Sequence, residues 1–266
     1  MHPIIEQLWL YTAQTFPGKD LDRIKGMFEV LSQERETSSA PMQQVALNEF
    51  VSVYVPGLTA KPWHDASAFP WADRLVASFP EILREMQEIT KVDDHLVPYT
   101  SSYSVSGGLL GDVGTPDWKD TDWKAVYFYK SFRRVDDRCA ACPKTAALLD
   151  EIGVAREALF SALEPGGHIT PHSDLMNFIT TCHLGLVVPD GCALSVAGET
   201  RTWEAGSCLF FDSSFEHEAW NRADQRRIVL LVDTWHPELT RAEIDVLLHL
   251  RPQIELLLGA TPRSDA

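Results

Sequence analysis

The chain has 266 residues, 45% hydrophobic and 23% charged, so it can bury a substantial core and is neither disordered nor fibrous in composition. Its 38 acidic against 23 basic side chains leave a formal net charge of −15 with no basic patch, which argues against nucleic acid and anionic membranes as partners. Five cysteines make no disulfide framework for this length, the first residues lack the basic start and apolar run of a secretion signal, and no apolar run approaches the roughly 18 residues of a membrane helix, so a reducing cytoplasm is the expected setting.

Near the start, Ile4, Ile5, Leu8 and Trp9, then Leu21, Ile24, Phe28 and Leu31, recur at three- and four-residue steps with Pro17-Gly18 between, which predicts a packed helical pair. A strand is expected over residues 49–55, ended by Pro56-Gly57, and a helix over residues 79–89 with Pro80 at its tolerant first turn. Residues 100–122 read as loop. Their Gly-rich stretch, Ser106 to Gly111, lacks the following Lys-Ser/Thr of a phosphate-binding loop, so a lid or plain connection is expected. A strand over residues 123–132 and a helix in the first half of residues 145–160 come next. From residue 161 to 236, short β-type runs split by Pro and Gly at roughly ten-residue spacing predict an antiparallel sandwich or barrel. A helix over residues 243–258, its apolar positions interrupted by Pro252, closes the chain. With no repeat and no linker, one domain over residues 1–266 is expected, helical over about 1–95 and with a β core over about 120–238.

The chemistry-bearing stretch is Pro171-His172-Ser173-Asp174. Two residues apart in a strand, His172 and Asp174 would aim an imidazole and a carboxylate at one point, and His217 could complete two histidines and one carboxylate around an iron ion. Ten residues past His217, Arg227 opens the run Arg227-Ile228-Val229-Leu230-Leu231-Val232, apolar on both alternating faces. A guanidinium entering such a strand needs an anion, either an Asp or Glu of the protein or a ligand carboxylate held bidentately. Arg226 beside it reads as a solvated neighbour.

Pro171-His172, His183-Leu184-Gly185-Leu186-Val187-Val188-Pro189, the run from Phe211 through His217 to Trp220, Arg227, and Asp233-Thr234-Trp235-His236-Pro237 together resemble the aspartyl/asparaginyl β-hydroxylase family of Fe(II)- and 2-oxoglutarate-dependent oxygenases. The resemblance is strong over residues 161–239, extends weakly through Pro62-Trp63-His64 and Pro143-Lys144-Thr145, and is absent from the first fifty residues. It implies a double-stranded β-helix, a cupin-like jelly-roll, with flanking helices. It implies iron on His172 and His217, the far carboxylate of 2-oxoglutarate on Arg227 assisted by Ser161, and His183 near that co-substrate. The implied reaction hydroxylates an aspartyl or asparaginyl side chain, or a related amino acid-like small molecule, with release of succinate and carbon dioxide. Animal members carry glycine at the position of Asp174, which here would be a third ligand, and arginine at the position of Thr181, so the resemblance leaves both a peptide and a small-molecule substrate open.

The rival class is a cupin-type metal-binding isomerase or a non-catalytic binding module, which would have no use for Arg227 or Ser161. His168 shares the parity of His172 but reads as a structural histidine by a Gly-Gly turn. Cys139 and Cys142 have zinc or redox spacing without a second pair and read as a functionless loop pair. Ser213 and Ser214 lie near His217, but no Gly-x-Ser-x-Gly elbow supports a hydrolase. Trp203, Trp220 and Trp235 read as core and rim aromatics.

Overall fold

The computed structural model describes residues 3–37, 53–91, 95–99, 122–174 and 176–257. Helices α1 (Pro3–Thr15) and α2 (Asp22–Thr37) form the expected pair, and Gly18 in their connection takes a left-handed φ of 71°. Most of the strand expected over residues 49–55, and the Gly/Ser-rich stretch to residue 121, lie outside the described residues. Within the described part of the former, Val53 makes an isolated parallel bridge to Met176.

Strand β1 (Trp63–His64) is followed by α3 (Ala72–Ala77), α4 (Phe79–Ile89), β2 (Val97–Pro98), β3 (Trp123–Lys130) and β4 (Arg133–Arg134). Then come α5 (Asp136–Ala141) and α6 (Pro143–Ile152), which put Cys139 and Cys142 in a helix and at its cap rather than in a loop. The β core contains β5 (Ala158–Leu163), β6 (His168–His172), β7 (Ile179–Val187), β8 (Cys192–Val196), β9 (Glu199–Arg201), β10 (Cys208–Phe211), β11 (His217–Asn221) and β12 (Arg227–Trp235). The last helix, α7 (Arg241–Leu257), is the expected C-terminal one and runs through Pro252.

From β5 onward the chain crosses back and forth between two antiparallel sheets. The large one runs β1-β10-β7-β12-β5-β3-β2, with β4 on β3, and the small one runs β6-β11-β8-β9. That alternation is a jelly-roll. In β12, Ile228, Leu230 and Val232 face outward with Phe160 of β5 and Leu184 of β7, in one cluster with Ile82, Met86 and Leu149 of the helical layer made by α3 to α6. Arg227, Leu231 and Asp233, of opposite parity, face inward and line a cavity with Ser161 of β5 and with Thr181 and His183 of β7. A one-residue slip of β12 would move its polar residues among the helices and expel side chains worth roughly 1.5–3 kcal/mol each on burial, so the register is strongly specified.

A second apolar cluster joins Ile5, Ile24, Phe28 and Leu31 of the N-terminal helices to Val246, Leu250 and Ile254 of α7 and to Met176, Phe178 and Ile179. Asn177 ties this layer down: its Oδ1 accepts from the Val55 N–H at 2.8 Å, and its Nδ2 donates to the Val55 carbonyl at 3.0 Å.

Candidate active site

The cavity between the sheets is partly open and lined by Ser161, His172, Asp174, His183, His217 and Arg227, the six residues singled out in the sequence. His172 closes β6 and His217 opens β11, and the two are direct cross-strand partners with ring centroids 4.1 Å apart.

Each imidazole is tethered to a carbonyl two residues back. His172 Nδ1 lies 2.7 Å from the Thr170 oxygen and His217 Nδ1 lies 2.9 Å from the Phe215 oxygen. A carbonyl can only accept, so both protons sit on Nδ1 and both lone pairs on Nε2, the tautomer a metal requires. Burial, reinforced by His217, lowers His172 to about 3, and burial likewise lowers His217, so both rings are neutral at pH 7.

Asp174 reaches the cavity by a route that strand parity did not foresee. It lies beyond the end of β6, where its N–H donates to the Ser213 carbonyl at 2.8 Å. Its carboxylate accepts from Arg156 Nη2 at 2.8 Å, while Arg156 Nε donates to Asp233 at 2.6 Å. Burial opposes ionisation of Asp174, but Arg156 and the two histidines outweigh it and hold the carboxyl well below the usual range. Among the described residues, no group of three or more His, Cys, Asp or Glu side chains is set to hold a metal ion. Two imidazoles of the right tautomer fit a divalent metal, and for Asp174 to join them it would have to ligate with its other oxygen or turn from Arg156.

At the opposite wall, Arg227 is 1% exposed. Its Nε and Nη1 have no hydrogen-bond partner, and it enters no ion pair among the described residues. Burial pushes its pKa down to about 10, still charged at neutral pH. Arg226, the preceding residue, is half-buried and paired with Glu164 at 2.7 Å. Beside Arg227, His183 Nε2 is also buried without a partner. Ser161 Oγ accepts from Trp123 Nε1 at 2.9 Å, which leaves its own hydroxyl proton available to the cavity. Tyr99 stacks on Trp123 at 3.6 Å and donates to Glu157, whose carboxyl burial raises to about 7.

His168 stays outside: it is exposed and pairs with Glu218 at 2.7 Å. Sequence reasoning missed Arg156. The Arg156-Glu157 pair stands before an apolar strand just as Arg226-Arg227 does, and that was the available signal. Thr181 donates to Asp233 at 3.0 Å, and the arginine on this side of the cavity is Arg156.

The family model described as aspartyl/asparaginyl β-hydroxylase matches residues 76–237. An aspartyl/asparaginyl β-hydroxylase of Homo sapiens is 42% identical over 194 residues, 70% of this chain and 24% of that one. Its Mus musculus counterpart is 35% identical over 70% of this chain and 25% of its own. An ornithine lipid ester-linked acyl 2-hydroxylase of Rhizobium tropici is 32% identical over 74% of this chain and 68% of its own. The chain thus spans about a quarter of the length of the two mammalian relatives. With the matched region covering most of the sheet core and all three cavity histidines, this chain belongs to the aspartyl/asparaginyl β-hydroxylase family.

Proposed function

We propose that this chain is an Fe(II)- and 2-oxoglutarate-dependent dioxygenase that hydroxylates an aspartyl or asparaginyl side chain or a related amino acid-like small molecule. The observation that carries the proposal is the buried, unpaired guanidinium of Arg227 across the cavity from two neutral histidines. An uncompensated buried charge is expensive, and a bound carboxylate relieves it. His172 and His217 would hold the metal, with Asp174 as third ligand or as the acceptor that keeps Arg156 in place. Iron in that position supplies dioxygen activation coupled to oxidative decarboxylation of 2-oxoglutarate, chemistry that side chains alone cannot provide.

The chain's own residues do the positioning. Arg227 and Ser161 take the far carboxylate of the co-substrate, and His183 offers a further donor beside them. Ile169, Leu194, Leu231 and Phe211 line the same cavity and limit water around the bound groups. A cupin-type isomerase or binding module would leave Arg227 unexplained.

Titrating the anaerobic Fe(II) protein with 2-oxoglutarate tests the proposal, because chelation produces a visible charge-transfer band. Absence of the band in folded protein would refute it. Candidate substrates are then screened by coupled succinate release and by mass analysis for a product heavier by one oxygen atom.

A further inference from the structure

We infer that Trp203 is a positioning residue for carboxylate binding, setting the proton of His183 and the plane of Arg227 at once. The inference rests on the co-substrate reading of the cavity above.

Trp203 lies in the segment between β9 and β10 and is buried. Its indole nitrogen sits 3.3 Å from His183 Nδ1. An indole N–H can only donate, so Nδ1 must accept, and the neutral ring carries its proton on Nε2. That is the opposite tautomer from His172 and His217, whose Nδ1 atoms face carbonyls. Two rings of one type thus present lone pairs to the cavity, and the third presents a donor. Burial first, and the neighbouring Arg227 second, keep His183 uncharged. The Nε2–H is buried without a partner in the wall that also exposes Arg227. The Arg227 guanidinium carbon stands 4.8 Å from the centre of the Trp203 ring, within cation–π range. One indole therefore orients both unpartnered donors.

Gly185 explains how Trp203 gets there. Its N–H donates to the Ser207 carbonyl at 3.0 Å, and its carbonyl accepts from the Gly206 N–H at 2.9 Å, so the segment after Trp203 is laced to β7 two residues from His183. A Cβ at position 185 would lie 2.5 Å from the Glu204 carbonyl oxygen, a backbone atom that cannot yield easily. The glycine of His183-Leu184-Gly185-Leu186 is the contact that lets Trp203 settle over the histidine.

The test uses Trp203→Phe, which keeps an aromatic face for Arg227 and removes only the N–H. Calorimetric titration of 2-oxoglutarate into the full chain with Zn(II) in place of iron should show affinity weakened about three- to tenfold, the range for one lost hydrogen bond. In a His183→Ala background the same substitution should change affinity less than about twofold, because its effect runs through the imidazole. Nitrogen NMR of the His183 ring should show the proton on Nε2 in the wild type and a mixture of tautomers in Trp203→Phe. Unchanged affinity in Trp203→Phe, a full loss persisting without His183, or a wild-type ring protonated on Nδ1 would each overturn the inference while leaving the co-substrate reading intact. A wild-type protein that does not bind 2-oxoglutarate overturns that reading and the inference together.

Discussion

Arg156 Nη2 and Asp174 Oδ2 lie 2.8 Å apart, and the same guanidinium holds Asp233 through Nε at 2.6 Å. Asp174 thus has a partner before any metal arrives. Whether it ligates or acts through its neighbours, its negative charge lies in the same cavity as the two histidines, and its loss should weaken Mn(II) binding by Asp174→Gly at least about tenfold. Titration followed by electron paramagnetic resonance reads this directly. An unchanged affinity would show that Asp174 serves Arg156 alone.

Arg227 gives a prediction in two opposite directions. Replacing a buried charge that lacks a partner with an apolar side chain of similar size removes a desolvation penalty, so Arg227→Met should leave the ligand-free protein as stable as wild type or more stable, by up to about 4 kcal/mol. The same change should cut 2-oxoglutarate affinity roughly thirty- to several-hundredfold. Thermal melts with and without 2-oxoglutarate show both effects: at a hundred times the wild-type Kd the ligand adds about 2.7 kcal/mol to the wild type and less than about 1 kcal/mol to the variant. A destabilised variant that kept its ligand protection would make Arg227 a structural residue.

In the metal-free protein His64 and His236 should each contribute less stability as pH falls below about 6.5. His64 is 6% exposed, and burial together with nearby His236 lowers it to about 4. Burial also lowers His236. The unfolded chain takes up these protons near pH 6.5 while the folded chain refuses them, so the contribution is fully present above pH 6.5 and lost toward pH 4, about 3 kcal/mol for His64. Glu157, raised to about 7, and Asp212, raised to about 6, work the other way in the same window, since burial makes the folded state hold their protons. Urea unfolding at pH 7 and pH 5 should show a smaller loss in His64→Gln than in the wild type. Equal losses would remove His64 as a source.

Thiol reactivity separates the cysteines. Cys139 Sγ donates to the Phe128 carbonyl at 3.6 Å and Cys142 Sγ to that of Glu85 at 3.9 Å, and burial raises Cys142 to about 12. Cys182 and Cys192 are also buried, and Cys208 alone of the five is partly exposed. A chromogenic disulfide reagent should therefore titrate one thiol quickly in native protein and five in denaturant. Fast reaction of the Cys139 and Cys142 pair would reopen a redox role.

The strands and their inward parity were legible because Pro and Gly punctuate short apolar runs, and Arg227 stood out as a charge at the mouth of a two-faced strand. His172 and His217 came from spacing and resemblance. What could not be read was the coupling through space. Arg156 and Asp174 are separated by a strand, a turn and another strand, and nothing in the chain order brings a guanidinium onto that carboxylate. Trp203 looked like an ordinary core aromatic, because its role depends on which imidazole nitrogen it meets. Val246, Leu250 and Ile254 are buried against the N-terminal helices, and that tertiary burial carries α7 through Pro252, a residue that breaks isolated helices.

The clasp between Val55 and Asn177, with the bridge from Val53 to Met176, has a consequence for any attempt to shorten the molecule. The stretch recognisable by kinship, residues 76–237, contains every cavity histidine but none of α1, α2 or α7. Cutting there would strip the apolar cover from Met176, Phe178 and Ile179, the residues immediately downstream of Asp174. Such a fragment is expected to aggregate or to bind metal with a loosened carboxylate arm. In this protein the portable unit is larger than the matched stretch, and α1, α2 and the Val53 to Val55 segment act as the floor on which the residues after Asp174 stand.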